Sequence, residues 1–133
     1  MQGKFKIPQK KPQFLKGKPI FAFNYYVDDD KEYSFRCINN CKDFWTLFRN
    51  LKHMSTLTWD EIQKSRQFHA HEIDWNKKKL PRPIKKLEKN PEIGDLPLFQ
   101  FKAFDESRIV GLFNYDCVFE IIMIDKTHRI FPA

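Results

Sequence analysis

The sequence predicts an α+β fold in which a helical hairpin packs on a mostly antiparallel β-sheet. Two observations favour this fold: apolar residues recur with helical spacing in residues 41–66, and the stretches before and after them alternate as strands do. The chain has 133 residues, 41% of them hydrophobic and 16% aromatic, so one domain can bury a core of its own. We therefore expect a basic extended arm at residues 1–18 and a single α+β domain at residues 19–133.

An N-terminal β-hairpin is expected directly after the arm. Residues 19–27 are rich in Phe, Tyr and Ile, and residues 33–38 alternate between apolar and polar side chains. The run Asp28-Asp29-Asp30 lies between the two stretches and is typical of a turn. The two stretches are therefore predicted to pair with each other.

Two helices are expected next. Asn39-Asn40 supplies an N-cap, and four apolar residues then recur at i, i+3, i+4 and i+7, which predicts an amphipathic helix of about 12 residues. The residues of its buried side are Phe44, Leu47, Phe48 and Leu51. The tetrad Thr58-Trp59-Asp60-Glu61 is a capping box that begins a second helix. Because the link between the helices is short, they are predicted to form an antiparallel hairpin.

A short strand and a long basic loop follow the helices. Residues 68–75 alternate, which predicts a strand with His69 and His71 on one face. Residues 76–97 contain four prolines and predict a basic loop with a single helical turn near residues 85–88.

The last third of the chain predicts a C-terminal β-meander with strands at residues 98–104, 107–113 and 117–124. Residues 118–124 are apolar on both faces, so their strand belongs in the middle of the sheet. We expect the helices to cover one side of it and the arm or the 76–97 loop to cover the other. Regular alternation predicts one face with Phe119, Ile121 and Met123 and the other with Val118, Ile122 and Ile124.

The net charge of +7 is unevenly distributed. Residues 1–18 carry six lysines and no acid, and residues 76–86 carry six basic residues and no acid, namely Lys77, Lys78, Lys79, Arg82, Lys85 and Lys86. The rest of the chain, with 12 basic and 17 acidic residues, is mildly acidic. Clustered cations of this kind favour a polyanion, because they release counterions from phosphates. A membrane surface, an acidic protein and plain solvation are the alternatives for these lysines.

Several classes of protein are disfavoured by composition. The three cysteines lack the spacing of a zinc site, and four glycines leave no phosphate-cradling loop and no nucleophile elbow. We therefore expect no metal and no cofactor. The longest apolar run has the length of a strand and the N-terminus has no apolar signal core, so we expect a cytoplasmic protein that does not engage the membrane.

The polar side chains expected near the sheet have the types that a metal-free ribonuclease needs. Such an enzyme requires a base, cationic donors for the charged phosphate and a proton source. The candidates are Arg66, His69, His71, Arg108, Tyr115, Lys126, His128 and Arg129. The alternative is that these residues are simply solvated at the edge of the sheet.

The C-terminal third resembles the last strands of RelE/ParE-superfamily toxins. The resemblance rests on the Arg-led apolar strand 108–113, a tight turn, the apolar strand 118–124 and the basic ending 125–132, which reads Asp-Lys-Thr-His-Arg-Ile-Phe-Pro. In that family a helical hairpin precedes the sheet strands, as residues 41–66 do here, and a His-containing strand commonly follows it. Two features depart from the family pattern: the leading hairpin replaces a single first strand, and the basic loop is longer than the usual connection.

The resemblance implies an activity and a set of site residues. Toxins of the RelE type cut messenger RNA on the ribosome without a metal and are neutralised by an antitoxin protein. By position, Arg108 would lie near the scissile phosphate, and His128 and Arg129 would be the C-terminal basic pair. His71 would donate or accept a proton, and Lys126 would add positive field.

Two other functions stay open on the sequence. One is a non-catalytic nucleic-acid-binding or inhibitor protein of phage or plasmid origin, with affinity from the two basic segments. The other is a protein-interaction module that uses exposed aromatic residues. Whether the chain is an enzyme therefore depends on whether the family resemblance extends to activity.

Overall fold

The computed structural model describes residues 16–73, 81–94 and 96–127. Its strands are β1 (Phe21–Ala22), β2 (His71–Ile73), β3 (Leu98–Lys102), β4 (Arg108–Phe113) and β5 (Phe119–Asp125). Its helices are α1 (Cys41–Met54), α2 (Trp59–Lys64) and α3 (Arg82–Leu87), with a short 3₁₀ helix at Phe35–Cys37. Among these helices, none has the length and apolar character needed to cross a membrane.

The five strands form one mixed sheet in the order β1-β5-β4-β3-β2. β1 runs parallel to β5, and the other three pairings are antiparallel. The α+β class and the mostly antiparallel sheet are therefore confirmed. β5 lies between β1 and β4, and all seven of its residues are buried, as the two-sided apolar pattern predicts.

The predicted N-terminal β-hairpin is wrong for the described residues. β1 is two residues long and pairs with β5, and the segment expected as its partner contains the 3₁₀ helix. Local side-chain bonds explain the difference. The Asp30 carboxylate accepts the backbone amides of Glu32 and Tyr33 at 2.9 Å, and the Ser34 hydroxyl accepts the amide of Arg36 at 3.1 Å. Such bonds satisfy the backbone in a turn and compete with strand pairing.

Both predicted helix starts are confirmed. Asn40 caps α1 by accepting the amide of Asp43 at 2.9 Å. In α2 the Thr58 hydroxyl accepts the Glu61 amide and the Glu61 carboxylate accepts the Thr58 amide, which completes the capping box. These bonds satisfy amides that a helix start leaves without partners.

The buried side of α1 differs from the prediction at one position. Leu47 is fully buried and Phe44 and Leu51 pack beside it, but Phe48 is 58% exposed. The fully buried residues of α1 are Leu47 and Met54, which are seven residues apart and lie along one line of the helix surface. The apolar stripe that the core covers is therefore narrower than the predicted stripe. Phe48, the residue after Leu47, is turned away from this line and faces solvent.

Apolar side chains cover both faces of the sheet, as a first cluster on one face and a second cluster on the other. On the first face α1 and α2 contribute Leu47, Met54, Trp59 and Ile62, which pack with Phe101, Ile109, Phe113 and Phe119 from the strands. On the second face Ile84 and Leu87 of α3, with Ile93 and Leu96, cover Val110, Leu112 and Ile122. The described part of the segment predicted as a basic loop therefore contains a helix, and this part covers the second face of the sheet. This outcome confirms one of the two covers expected from the sequence.

A bulge in β5 changes which side chains share a face. Gly111 pairs with Ile121, but its neighbour Val110 pairs with Met123, so Ile122 is an extra residue. Phe119, Ile121 and Ile124 belong to the first cluster, and Ile122 and Met123 belong to the second. The predicted faces are therefore wrong for Met123 and Ile124, because regular alternation assumes a strand without an inserted residue.

Candidate functional site

The strand register brings polar side chains together on the second face of the sheet. Arg108 pairs with Lys102 on β3 and with Asp125 on β5, and His71 pairs with Gln100, which is two residues before Lys102 on β3. Directly paired residues share a face, and so do alternate residues of one strand. These five side chains therefore form one group, which we call the polar row. It begins where the apolar cover from α3 ends, since Val110 and Leu112 of the same face belong to the second cluster.

Arg108, the predicted phosphate-binding residue, is partly held by its own turn. Its Nη1 donates to the carbonyls of Glu106 at 3.0 Å and Ser107 at 3.2 Å. Burial lowers the pKa of the Arg108 guanidinium, against the raising effect of the Asp125 and Glu106 carboxylates. The side chain therefore lies at the end of β4 in a fixed orientation, with a carboxylate opposite it.

His71 lies on the edge strand β2 with both ring nitrogens in contact. Nδ1 is 2.9 Å from the carbonyl of Glu72, and Nε2 is 3.1 Å from the side-chain nitrogen of Gln100. A carbonyl can only accept and an amide nitrogen can only donate, so this arrangement fits the neutral ring with its proton on Nδ1. His71 and Arg108 are on the same face but two strands apart, about 10 Å across the sheet.

The other predicted catalytic residues are not assembled around Arg108. The Lys126 ammonium donates to the Cys37 carbonyl at 2.9 Å, which ties it to the 3₁₀ helix. Tyr115 is exposed in the turn at the opposite end of β4. His128 and Arg129 lie outside the described residues.

The two neighbouring histidines do not share a strand face. The strand begins only at His71, and His69 has a left-handed backbone conformation with φ 48°. The predicted strand at residues 68–75 is thus too long at its N-terminal end, because residues 66–69 form a turn. Within the parts of the chain that the structure covers, no three His, Cys, Asp or Glu side chains are grouped as metal ligands.

The basic segment is described only from α3 onwards, since Lys77, Lys78 and Lys79 lie outside the described residues. Lys85 and Lys86 are exposed on α3. Arg82, by contrast, donates two hydrogen bonds to the Asp30 carboxylate, from Nε at 3.2 Å and from Nη2 at 3.0 Å. Burial raises the pKa of Asp30, but the bonds from Arg82 and from two backbone amides outweigh it and hold that pKa below its ordinary value.

Lys102 and Asp125 are members of the polar row that the sequence predictions do not include. Alternation along residues 98–104 puts Lys102 on the face opposite Phe101, but only the pairing of β3 with β4 puts it beside Arg108. Asp125 falls one residue past the predicted strand end, and its pairing with Arg108 depends on the β5 bulge. Neither position carries a signal in the sequence alone.

Comparison with known proteins gives a family and no described activity. No curated protein and no solved structure matches the chain. One family model matches residues 10–133, nearly the whole chain. On that match, the chain belongs to the family described as Uncharacterised protein UU032.

Proposed function

We propose that this protein binds RNA through the basic segment that runs from Lys77 to Lys86. The observation that carries the proposal is the construction of α3. Ile84 and Leu87 are buried in the second cluster, whereas Lys85 and Lys86 between them are exposed. The two ammonium groups therefore stand on a helix that the core holds in place. A charge array fixed in this way gains affinity for phosphates by counterion release and loses little conformational entropy on binding.

Arg82 has a different part in this proposal. Its guanidinium is bound to Asp30, lies 3.5 Å from Glu32 and stacks 5.2 Å over the Tyr33 ring. We assign it the task of fixing α3 against the acidic turn at residues 28–32, and we assign phosphate contact to the lysines.

The test is the salt dependence of RNA binding, measured by fluorescence anisotropy with a labelled single-stranded oligonucleotide. Lys85→Gln with Lys86→Gln should make the log–log salt slope shallower by up to about 0.7 per lost contact. The matched control is Lys64→Gln with Arg36→Gln, which removes two exposed charges outside the basic segment. The control should leave the slope unchanged. An equal slope for wild type and for the Lys85 and Lys86 variant would reject this site.

A second candidate is a RelE-like, metal-independent endoribonuclease that acts on messenger RNA at the ribosome and is restrained by an antitoxin. The polar row favours it, because Lys102, Arg108 and His71 present two cations and an imidazole on one face of the sheet. The resemblance to RelE/ParE-superfamily toxins also implies that α1 and α2 form an antiparallel helical hairpin. It also keeps Lys126, His128 and Arg129 as predicted contributors of positive charge or proton transfer.

The nuclease candidate is tested by growth arrest and by messenger cleavage on purified ribosomes. If the polar row is catalytic, Arg108→Ala should lower the cleavage rate about 10²- to 10³-fold, as the loss of one preorganised donor does elsewhere. His71→Ala and Lys102→Ala should also reduce it, whereas Lys64→Ala, at an exposed lysine at the end of α2, should not. Circular dichroism checks that each variant folds. A wild type that neither arrests growth nor cleaves messenger RNA would reject the enzyme and leave the binding protein.

A further inference from the structure

One side of α1 exposes aromatic rings that the core does not use. Trp45 is 61% exposed and Phe48 is 58% exposed. They are three residues apart, so the two rings are neighbours on the solvent side of the helix. Large apolar side chains that are neighbours on a helix surface and exposed to water are a common sign of a binding surface.

Cations surround these rings. The Arg49 guanidinium lies 4.6 Å from the centroid of the Trp45 ring, and Lys42 and Lys52 are exposed one turn before Trp45 and one turn after Phe48. The one acidic residue of α1 is Asp43, which lies in the first turn and is bonded to the capping Asn40 at 2.9 Å. We call Lys42, Trp45, Phe48, Arg49 and Lys52 the aromatic face of α1.

We propose that the aromatic face of α1 binds unpaired RNA bases. The proposal rests on the RNA-binding function proposed above and adds a second contact surface and a preference for single strands. Exposed bases stack on aromatic rings and on guanidinium planes, while phosphates pair with the flanking lysines. A duplex offers its phosphates but hides the faces of its bases, so it can use the cations of this surface but not its rings.

Charge decides against a second copy of the chain as the occupant. A symmetric contact through this face would bring Lys42, Arg49 and Lys52 of one molecule against the same three residues of the other. Like charges brought together at an interface oppose association. A polyanion with apolar ring faces meets both properties of the surface, and single-stranded RNA is such a polyanion.

The experiment compares RNA affinities of variants that change the rings alone. The probes are a labelled oligouridylate of about 12 nucleotides, within the range of single-strand site sizes, and a duplex RNA of the same length. Trp45→Ala and Phe48→Ala should each weaken oligouridylate binding about 5- to 150-fold, the cost of losing one stacked base. Duplex affinity and the salt slope should not change. Trp45→Phe keeps a ring and should retain most of the affinity.

Ile20→Ala is the matched control, since Ile20 is an apolar side chain that is 62% exposed just before β1 and lies outside the aromatic face. It should bind both probes as wild type does. If the ring variants bind normally while the Lys85 and Lys86 variant has a shallower salt slope, the aromatic face is rejected and the proposed function stands. If wild type binds neither probe, the proposed function fails and this inference fails with it. A wild-type dimer in light scattering that Trp45→Ala dissociates would assign the face to a second copy and overturn the proposal.

Discussion

Glu120 and Asn24 are joined by two hydrogen bonds across 96 residues of sequence. The backbone amide of Asn24 donates to Oε1 at 3.0 Å, and its side-chain nitrogen donates to Oε2 at 2.8 Å. Asn114 donates a third bond to Oε2 at 3.1 Å. The Glu120 side chain is 1% exposed on β5, so a buried carboxylate is stabilised here by amides. The pair attaches the segment after β1 to β5, an interior strand of the sheet.

Asn24→Ala should therefore destabilise the protein. It removes the side-chain donor from a buried carboxylate, and lost bonds to charged groups of this kind cost about 1.5–3 kcal/mol. The measurement is the free energy of unfolding from urea titrations followed by circular dichroism. Asn39→Ala, at an exposed asparagine near the start of α1, is the control and should change stability by less than about 0.5 kcal/mol. Equal stabilities for the two variants would contradict the role given to Asn24.

Gly111→Ala should destabilise the sheet at the bulge. A Cβ at this position would overlap the carbonyl oxygen of Glu120 and lie 2.8 Å from a ring carbon of Phe119. Both neighbours belong to the packed strand β5, so the strain cannot be relieved by a flexible side chain. We expect a loss of about 1–3 kcal/mol, the usual cost of overpacking a core, measured by thermal and urea unfolding. Gln63→Ala, on the exposed side of α2, serves as the control. Wild-type stability for Gly111→Ala would show that the strands separate more easily than this packing implies.

The contribution of Asp30 should disappear in acid. Its pKa in the folded protein is lowered by Arg82 and two backbone amides, so the carboxylate stabilises the fold at pH values above its unfolded pKa of about 3.9. That stability is lost as the pH falls through the lower folded pKa. Asp30→Asn should therefore be less stable than wild type at neutral pH, and the difference should shrink below about pH 4.

Urea unfolding of both proteins across this pH range measures the effect, with Asp28→Asn as a control at an exposed acid of the same turn. A difference between wild type and Asp30→Asn that stays constant into strong acid would exclude the ion pair as its cause.

Thr58→Ala should weaken the start of α2. The hydroxyl of Thr58 accepts the Glu61 amide at 3.2 Å, and its removal leaves that amide without its cap. N-cap replacements of this type cost about 0.5–2 kcal/mol. The comparison is with Thr46→Ala, because Thr46 lies within α1 and its hydroxyl bonds to the Lys42 carbonyl of the same helix. A smaller loss at Thr58 than at Thr46 would show that the capping box contributes little.

Local signals in the sequence predict the helices well and the N-terminal segment badly. Asn40 and Thr58 act within three residues of their own position, so their caps can be read directly. Residues 33–38 also look like a strand, but the outcome there depends on Asp30 and Ser34, whose side chains bond to the backbone of the turn. Strand propensity describes a fit to a pleated surface, and it cannot say whether a partner strand is present.

The candidate site is predictable only in part, for a related reason. Arg108 can be expected at the start of a strand, but Lys102 and Asp125 become its neighbours through pairings between separate strands. The exposure of Phe48 likewise depends on how α1 is turned against the sheet. Such relationships are set by tertiary packing, which helical periodicity alone does not determine.

The extra residue at Ile122 makes β5 respond differently to a deletion and to an insertion. Because the bulge shifts the alternation by one position, Ile124 reaches the first cluster and Met123 reaches the second. Deleting Ile122 would leave a regular strand in which Met123 still pairs with Val110 and Asp125 still pairs with Arg108, so both faces would be retained. An inserted residue would instead need a second bulge, or it would slide the strand end by one residue against β4 and move Asp125 away from Arg108. Loss of Ile122 should thus cost only its buried side chain, whereas insertions between Ile121 and Met123 should not accumulate in related chains.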